Sequence, residues 1–463
     1  MKMKKHLILS MLLLGFAGML EAENVQRTLP DVVEGVRDEV ISLNGEWQFQ
    51  YAPGEKWERV TVPGELAMQG YGIEHDKPVL YKKTVLVPAD YRGKQVILRF
   101  DGVYSYARLW VNGKQAAEHA GGFTRWETDI TSLIRIGKKN EIRLEVTDRL
   151  NDISYASGYA HHPIGGILRG VSLYALPESN MRDFFVETLL DDAYQDADLR
   201  IVYSMSASAK VSFTLKEKKS GRVCLESGVL ACQQGDNEHR FRISRPELWD
   251  AEHPNLYVLQ VNVQSADGGY SFEREIGFRK IEVKGDRMLV NGKQVKLRGA
   301  CRHDIHPTLG RTSTPELDSL DAALFKRANM NFVRTSHYPP TESFLKYCDR
   351  EGIYVECETA VCFVDTYRQK NYAPGKSQDD PEATAQYLGQ LEEMVATSRS
   401  HASVLFWSIG NESVYGKNFQ LSYDWLKNED KTRPVIFSYP GLVEKGKTAF
   451  DLLSIHYPGC DGT

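Results

Sequence analysis

The chain of 463 residues has 42% hydrophobic and 26% charged residues, which excludes a disordered chain, a collagen-like fibre and a membrane protein with several spans. Its 57 lysines and arginines against 62 aspartates and glutamates give a net charge of −5, so charge offers no basis for binding nucleic acid or an anionic membrane. Seven cysteines are too few for a disulfide scaffold. Cys224 and Cys232 could bridge one hairpin, but we expect mainly single buried thiols. At about 150 residues per domain, the length predicts about three domains.

Residues 1–22 have the pattern of a secretory signal peptide. Three lysines lie within the first five residues and precede an apolar run from Leu7 to Leu20. This run is shorter than the roughly 20 residues that a membrane-spanning helix needs. The pattern predicts cleavage near Ala22 and an exported protein, periplasmic or secreted, with no membrane span in its mature form. The alternative is a buried N-terminal helix.

Two β-rich regions follow the leader. In residues 23–180, short strands are separated by turn signals, of which the strongest is Asn112-Gly113 between RLWV and KQAAE. No segment there has a helical period, so we predict a β-sandwich of the jelly-roll type. Residues 181–284 contain RIVYSM, KVSFTL and LYVLQVNV over the length of one immunoglobulin domain, which predicts an immunoglobulin-like β-sandwich.

Residues 285–463 alternate strands with helices. Six β-rich runs occur in the order VKLRGA, NFVRTS, IYVECE, VLFWSIGN, PVIFSY and LLSIHY. Helix starts are predicted at Thr314-Pro315, near Thr341 and at Asp380-Pro381, and Gly352 predicts a helix end. Repeated βα units of this kind predict a parallel (β/α)8 TIM barrel.

The barrel region is too short for eight units. A full barrel takes about 250 residues, or about 31 per unit, and the residues from Lys296 to Thr463 therefore hold about five and a half units. We expect a C-terminally incomplete barrel that stops before strands 7 and 8, as in a fragment of a longer protein. The alternative is an architecture other than a closed barrel.

Chemically active side chains follow the predicted barrel strands. They are Arg302, His303, Asp304 and His306 after the first strand, His337 and Tyr338 after the second, Glu358 after the third, Asn411 and Glu412 after the fourth, and His456 and Tyr457 after the sixth. Active sites of such barrels lie at the C-terminal strand ends, so we expect one polar, aromatic pocket suited to carbohydrate cleavage. The residues predicted to contact the substrate are Asn411, His337, His303, Glu358, Tyr338 and His456.

Seven segments of the chain carry a family resemblance. In the barrel region they are LRGACRHDIHPTLGR, NFVRTSHYPP and VLFWSIGNES, and in the first β region SLNGEWQF, VPGELAMQGY, LRFDGVYSYARLWVNGK and GGILRGVSLY. Together they resemble glycoside hydrolase family 2, whose members include β-galactosidases, β-glucuronidases and β-mannosidases. The resemblance runs from about Leu43 to the end of the chain and implies a sugar-binding jelly roll followed by a catalytic barrel.

The resemblance implies roles for individual residues. Glu412 in GNES matches the family's general acid/base, which protonates the glycosidic oxygen and then deprotonates the attacking water. Asn411 matches the asparagine that bonds the 2-hydroxyl of the sugar, and His337 and His303 match histidines that line the sugar pocket. Taken alone, Glu412 could be a solvated loop carboxylate, Asn411 a strand cap and each histidine structural.

The sequence departs from the family at the nucleophile. The retaining mechanism needs a second glutamate at the end of strand 7, which falls near residue ~505 at about 31 residues per unit. That position lies past Thr463, and Glu429 and Glu444 stand in helix or loop contexts. We therefore expect the chain alone to be inactive.

Metal and substrate positions also depart from the family. Galactosidases that bind magnesium use a glutamate and a histidine after strand 3, where this chain has Cys362 and Val364, so we predict no metal site there. The family string NRHE reads Cys301 to Asp304 here. The loop Tyr155–His162 is expected to reach the pocket but lacks an acidic residue. His303 and His306 could bind a metal instead, although no third ligand follows at the required spacing.

The predicted function is an exo-acting retaining hydrolase of terminal β-glycosides. SHYPP and HPTLGR favour β-D-galactosides, with β-glucuronidase and β-mannosidase as alternatives within the family. A non-catalytic carbohydrate-binding protein is the alternative outside enzymes. We expect a carbohydrate as the partner and no cofactor, and the sequence predicts no oligomeric state.

Overall fold

The computed structural model describes residues 40–153, 164–266, 268–366, 376–440, 443 and 446–457. The predicted signal peptide and the loop Tyr155–His162 fall outside these ranges, so both stay predictions. Within the described ranges, no helix is long and apolar enough to cross a membrane.

The first domain is a β-sandwich. Its strands are β1 (Ile41–Ser42), β2 (Gly45–Gln50), β3 (Glu58–Val62), β4 (Gly64–Glu65), β5 (Val79–Leu86), β6 (Gln95–Phe100), β7 (Val103–Tyr104), β8 (Tyr106–Val111), β9 (Lys114–Ala120), β10 (Trp126–Asp129), β11 (Lys139–Thr147), β12 (Gly166–Ile167) and β13 (Val171–Leu176). The sheets β1-β13-β6-β10 and β3-β2-β5-β11-β8-β9 share one apolar core, and β4-β12-β7 forms a third, small sheet. Asn112 and Gly113 turn from β8 to β9 with positive φ, as the sequence predicts.

The second domain is an immunoglobulin-like sandwich. Its strands are β14 (Met181–Leu190), β15 (Asp196–Met205), β16 (Ala209–Glu217), β17 (Val223–Glu226), β18 (Leu230–Cys232), β19 (Gly235–Ser244), β20 (Tyr257–Ser265) and β21 (Gly268–Ile276). The sheet β14-β15-β19 packs against β17-β16-β20-β21, and β18 also pairs with β16. Cys224 and Cys232 are free thiols, because β17 and β18 pair with opposite ends of β16.

The third domain begins with a small antiparallel sheet of β22 (Ile281–Lys284), β23 (Arg287–Val290) and β24 (Lys293–Gln294). The parallel strands that follow are β25 (Gly299–Arg302), β26 (Phe332–Thr335), β27 (Tyr354–Glu358), β28 (Val404–Asn411), β29 (Val435–Ser438) and β30 (Leu452–Ser454). The helices between them are α1 (Pro315–Arg327), α2 (Glu342–Glu351), α3 (Thr384–Ser398) and α4 (Lys417–Glu429).

The barrel strands pair in chain order, β25-β26-β27-β28-β29-β30, and all in parallel. Every residue of β27 and β28 is buried, because helices cover one side and inward side chains fill the other. In the part of the chain that the structure describes, β25 and β30 each pair with one neighbour. The predicted fold class, two β-sandwiches followed by a partial barrel, is confirmed.

Four buried residues, which we call the interdomain clamp, join the first sandwich to the barrel: Phe123, Arg169, Asp304 and Tyr338. Arg169 donates from Nη2 to Asp304 Oδ2 at 3.1 Å and from Nη1 to the Phe123 carbonyl at 2.6 Å. The Tyr338 ring stacks on Phe123 with centroids 3.9 Å apart, and its hydroxyl accepts the Asp304 N–H at 2.8 Å. Since Asp304 and Tyr338 directly follow His303 and His337, the clamp fixes the two loops that carry these histidines.

Candidate active site

A charged cluster lies inside the barrel at the C-terminal ends of β26, β27 and β28. Arg334 donates to Glu358 Oε2 from Nε at 2.8 Å and from Nη2 at 2.5 Å, and His337 Nδ1 lies 2.6 Å from Glu358 Oε1. Ser408 Oγ donates to Glu358 Oε2 at 2.8 Å. Glu358 is completely buried and both its oxygens are engaged, so it orients Arg334 and His337 and has no lone pair directed at open space.

The cluster contains a second buried carboxylate, that of Glu356. Its Oε1 lies 3.2 Å from Arg334 Nε and accepts from Ser438 Oγ at 3.3 Å. Burial raises the pKa of both glutamates, but the Arg334 guanidinium and His337 outweigh burial at Glu358 and hold its pKa at about 2. At Glu356, burial and repulsion from Glu358 exceed the attraction of Arg334 and raise its pKa to about 7.

Arg334 also fixes the side-chain amide of Asn411. Its Nη2 donates to Asn411 Oδ1 at 2.7 Å, and Asn411 Nδ2 donates to Cys362 Sγ at 3.1 Å. Because the oxygen of the amide faces Arg334, the nitrogen is the donating side of this buried amide. This orientation suits an asparagine that donates to a sugar hydroxyl.

Glu412 follows β28 at the open end of the barrel. Its backbone has a φ of 39°, and its N–H donates to the Ser438 carbonyl at 2.8 Å. His456 Nδ1 and the Tyr457 hydroxyl converge on Oε1 at 3.0 and 3.2 Å, and 17% of the side chain is exposed. The carboxyl is therefore held in place while its edge stays accessible to a ligand.

Aromatic rings flank this carboxyl. Tyr439 stacks on His456 with centroids 5.4 Å apart, and Tyr457 meets His456 edge to face at 5.7 Å. The exposed fractions of Tyr439 and Tyr457 are 50% and 78%, which leaves ring faces that a sugar could cover. Sequence reasoning did not assign Tyr439 to the site, although its place just after the fifth barrel strand is the signal that indicates it.

The structure places most of the predicted site residues at the pocket and one of them, Tyr338, outside it. His303 and His337 lie edge to face at 5.6 Å, and burial together with the neighbouring His337 and Arg311 lowers the pKa of His303 to about 4, so it is neutral at neutral pH. His456 contacts Glu412, and Glu358 contacts His337. Tyr338 is outside the pocket, because its ring is 2% exposed and lies against Phe123 in the interdomain clamp.

The positions that bind magnesium in some galactosidases do not fit that ion here. Cys362 is buried and accepts the Asn411 amide, and burial raises the pKa of its thiol well above the ordinary value. A neutral thiol and the side chain of Val364 offer no oxygen ligand to a hard cation. Among the described residues, no group of three or more His, Cys, Asp or Glu side chains could hold a metal ion.

A cavity of about 490 Å³ lies outside the barrel mouth, between the first sandwich and the starts of α1 and α2. Its wall contains Arg125, Arg169, Thr314 and Glu342 and none of the predicted site residues. Arg125 is engaged there by Asp101 at 2.6 Å and Glu342 at 2.7 Å. The cavity is therefore separate from the candidate active site.

Two β-sandwiches followed by a parallel barrel, with a carboxyl, an amide and imidazoles at the strand ends, define a class of multidomain barrel proteins with a polar pocket. Matches to models of known protein families identify the family within this class. The "Glycosyl hydrolases family 2, sugar binding domain" matches residues 36–177, "Glycosyl hydrolases family 2" matches 179–279 and "Glycosyl hydrolases family 2, TIM barrel domain" matches 281–457. The chain belongs to glycosyl hydrolases family 2.

The curated relatives include β-galactosidases. The chain is 31% identical over 455 residues to a β-galactosidase of Priestia megaterium (strain DSM 319 / IMG 1521), which covers 87% of this chain and 44% of the relative. It is 29% identical over 478 residues to a β-galactosidase of Vibrio vulnificus (strain CMCP6), which covers 93% of this chain and 45% of the relative. The chain thus spans less than half the length of these relatives.

Solved structures share the fold. A β-glucuronidase of Parabacteroides merdae has a TM-score of 0.78 at 23% identity and covers 90% of this chain and 57% of its own. A β-D-glucuronidase from Dictyoglomus thermophilum has a TM-score of 0.76 at 22% identity and covers 89% and 74%. At these identities, the likeness concerns the fold alone.

Proposed function

We propose that this chain carries the acid/base half of the active site of an exo-acting retaining β-glycosidase that acts on terminal β-D-galactosides. The observation that supports it most is the carboxyl of Glu412 at the barrel mouth, held by His456 and Tyr457 beside the oriented amide of Asn411. The β-galactosidase names of the curated relatives support this sugar over the glucuronide and mannoside alternatives.

In the proposed reaction, Glu412 donates its proton to the glycosidic oxygen as the bond to the anomeric carbon breaks. After the leaving group departs, the same carboxylate takes a proton from the water that releases the sugar. Asn411 donates to the 2-hydroxyl, an interaction that strengthens in the transition state. The neutral His303, together with His337, supplies hydrogen bonds to the ring hydroxyls at the same pocket.

A retaining mechanism also needs a carboxylate nucleophile about 5 Å from the acid. The two other glutamates of the described pocket do not suit this role, because Glu358 is fully engaged by Arg334 and His337 and Glu356 is 4% exposed beneath them. We therefore place the nucleophile outside these 463 residues and expect the chain alone to be inactive.

The test uses the complete gene product that contains this chain, with nitrophenyl β-D-galactoside, β-D-glucuronide and β-D-mannoside. We expect the galactoside to be cleaved, and Glu412→Gln to lower kcat/KM by about 10²–10⁴. A dinitrophenyl galactoside, whose leaving group needs no proton, should be much less affected. Azide should accelerate Glu412→Gln and yield β-galactosyl azide, because an anion needs no base to attack the glycosyl-enzyme.

The matched control is Glu429→Gln, which changes a partly exposed carboxyl at the end of α4 and should leave hydrolysis unchanged. If Glu412→Gln equals the wild type, or if azide has no effect on it, the acid/base assignment is wrong. If no glycoside is cleaved but galactose binds, the protein is a carbohydrate-binding protein.

A further inference from the structure

We propose that Glu356 is a positioning residue of the sugar pocket, which acts through Arg334 on the amide of Asn411. Its role in catalysis rests on the proposed function, whereas the coupling between these side chains does not. The family resemblance assigned no role to Glu356, and the side chain contacts neither Glu412 nor the open end of the barrel in the described contacts.

The geometry that supports the proposal is a chain of contacts from Glu356 through Arg334 to Asn411, which we call the relay. Glu356 and Glu358 stand two residues apart on β27, so both point to the barrel interior. Glu356 Oε1 lies 3.2 Å from Arg334 Nε, and Arg334 Nη2 donates to Asn411 Oδ1 at 2.7 Å. A guanidinium is planar and rigid, so a rotation at one edge moves the donors at the other. A change at Glu356 therefore reaches the Asn411 amide through one side chain.

The charges around Glu356 make this relay sensitive to pH. The groups that face it are the Arg334 cation on β26, the Glu358 carboxylate on its own strand, and the neutral hydroxyls of Ser408 on β28 and Ser438 on β29. On β25, Cys301 stands in register with Arg334, and beyond Glu358 lies His337. With Glu356 protonated, the positive charge of Arg334 and the negative charge of Glu358 neutralise each other. When Glu356 ionises, near pH 7, a second anion competes for Arg334.

The consequence concerns the hydrogen bond from Arg334 to Asn411. A protonated Glu356 is a weak partner for Arg334, which then directs its donors at Glu358 and Asn411. An ionised Glu356 is a strong partner and draws the guanidinium toward its own carboxylate. The 2-hydroxyl donor of the proposed pocket is therefore set by the protonation state of a residue that does not touch the sugar.

The experiment follows the side-chain amide signals of Asn411 by NMR between pH 5 and 9 in the complete gene product that contains this chain. The signals are identified by their loss in Asn411→Asp. In the wild type, we expect them to shift with a midpoint near pH 7. In Glu356→Gln, which keeps the shape of the protonated carboxyl, they should be independent of pH. In Glu358→Gln, which removes the repelling anion, the midpoint should move to lower pH.

The matched control is Glu127→Gln, which alters another buried carboxylate paired with an arginine, Arg99, in the first sandwich and should leave the midpoint unchanged. An Asn411 signal that does not titrate in the wild type overturns the proposal, even if the glutamine variants fail to fold. A midpoint that survives Glu356→Gln overturns it as well. Loss of hydrolysis in the complete gene product would not affect either readout, so the two proposals fail separately.

Discussion

At the scale of single residues, Arg334 determines the stability of the charged cluster that it forms with Glu356 and Glu358. Its guanidinium contacts Glu356, Glu358 and Asn411 while the residue is only 9% exposed. A buried ion pair contributes little net stability over an apolar pair, but an unpaired buried charge is expensive because it has lost its hydration. The charge balance of the cluster therefore matters more than any one of its hydrogen bonds.

Arg334→Met should destabilise the protein by about 3–5 kcal/mol, since Glu358 is then buried without its cation. The double variant Arg334→Met with Glu358→Gln should recover most of this loss at pH 6, where Glu356, with a pKa of about 7, is mainly protonated. Unfolding in denaturant measures both. Equal destabilisation by the single and double variants would contradict the charge-balance explanation.

At the scale of elements, the sequence predicted the features that have local causes. Thr314 accepts the Leu317 N–H, so α1 begins at Pro315 as predicted, and α2 begins after Thr341 and ends at Gly352, whose φ is 71°. The first barrel strand lies later than its β-rich run VKLRGA suggests, because it begins at Gly299 and extends past the run to Arg302. Its limits are set by pairing with β26, and a single sequence does not contain that register.

In the candidate site, too, sequence reasoning predicted the features that have local causes and missed one that depends on a neighbouring strand. The strand-end rule brought Glu412, Asn411 and His337 to one region, because chain order and strand length are enough to place them. Sequence reasoning missed Glu356, since its role depends on Arg334 of the neighbouring strand. The spacing of Glu356 and Glu358 in IYVECE was the available signal, because period two places both inside the barrel.

The end of β11 offers a test of stability against pH. Asp148 follows this strand with its side chain 1% exposed and bonded to His75 Nδ1 at 2.8 Å. Burial and repulsion from Asp152 and Asp76 raise its pKa to about 8. Between its unfolded pKa of about 3.9 and pH 8, the unfolded state has lost this proton and the folded state keeps it, so its contribution to stability falls as pH rises.

Asp148→Asn removes this titration. Its stability relative to the wild type should increase from pH 5 to pH 7.5 by up to about 1.4 kcal/mol per pH unit. Calorimetry of thermal unfolding at both pH values measures the difference. Asp90→Asn, at an exposed position of the same domain, should show no such trend. A stability difference that is constant with pH would exclude a raised pKa at Asp148.

At the scale of the whole molecule, the interdomain clamp couples the first sandwich to the barrel. Arg169→Met should leave Asp304 without the cation from the opposite domain and remove the hydrogen bond to the Phe123 carbonyl. Because Asp304 keeps its ion pair with Arg302, we expect a loss of about 1–3 kcal/mol and, in calorimetry, separation of the sandwich transition from that of the barrel. Arg59→Met, whose side chain is 78% exposed, is the control, and a single unchanged transition in Arg169→Met would refute the coupling.

The clamp also limits how the protein can be re-engineered. Its Tyr338–Phe123 stack and Arg169–Asp304 pair each take one side chain from the sandwich and one from the barrel. A chimaera that joins the sandwich of one relative to the barrel of another would combine side chains that do not pack together at these two contacts. His303 and His337 would then both be displaced. Specificity in such hybrids would then change without any substitution in the pocket, unless all four side chains were transplanted as a set.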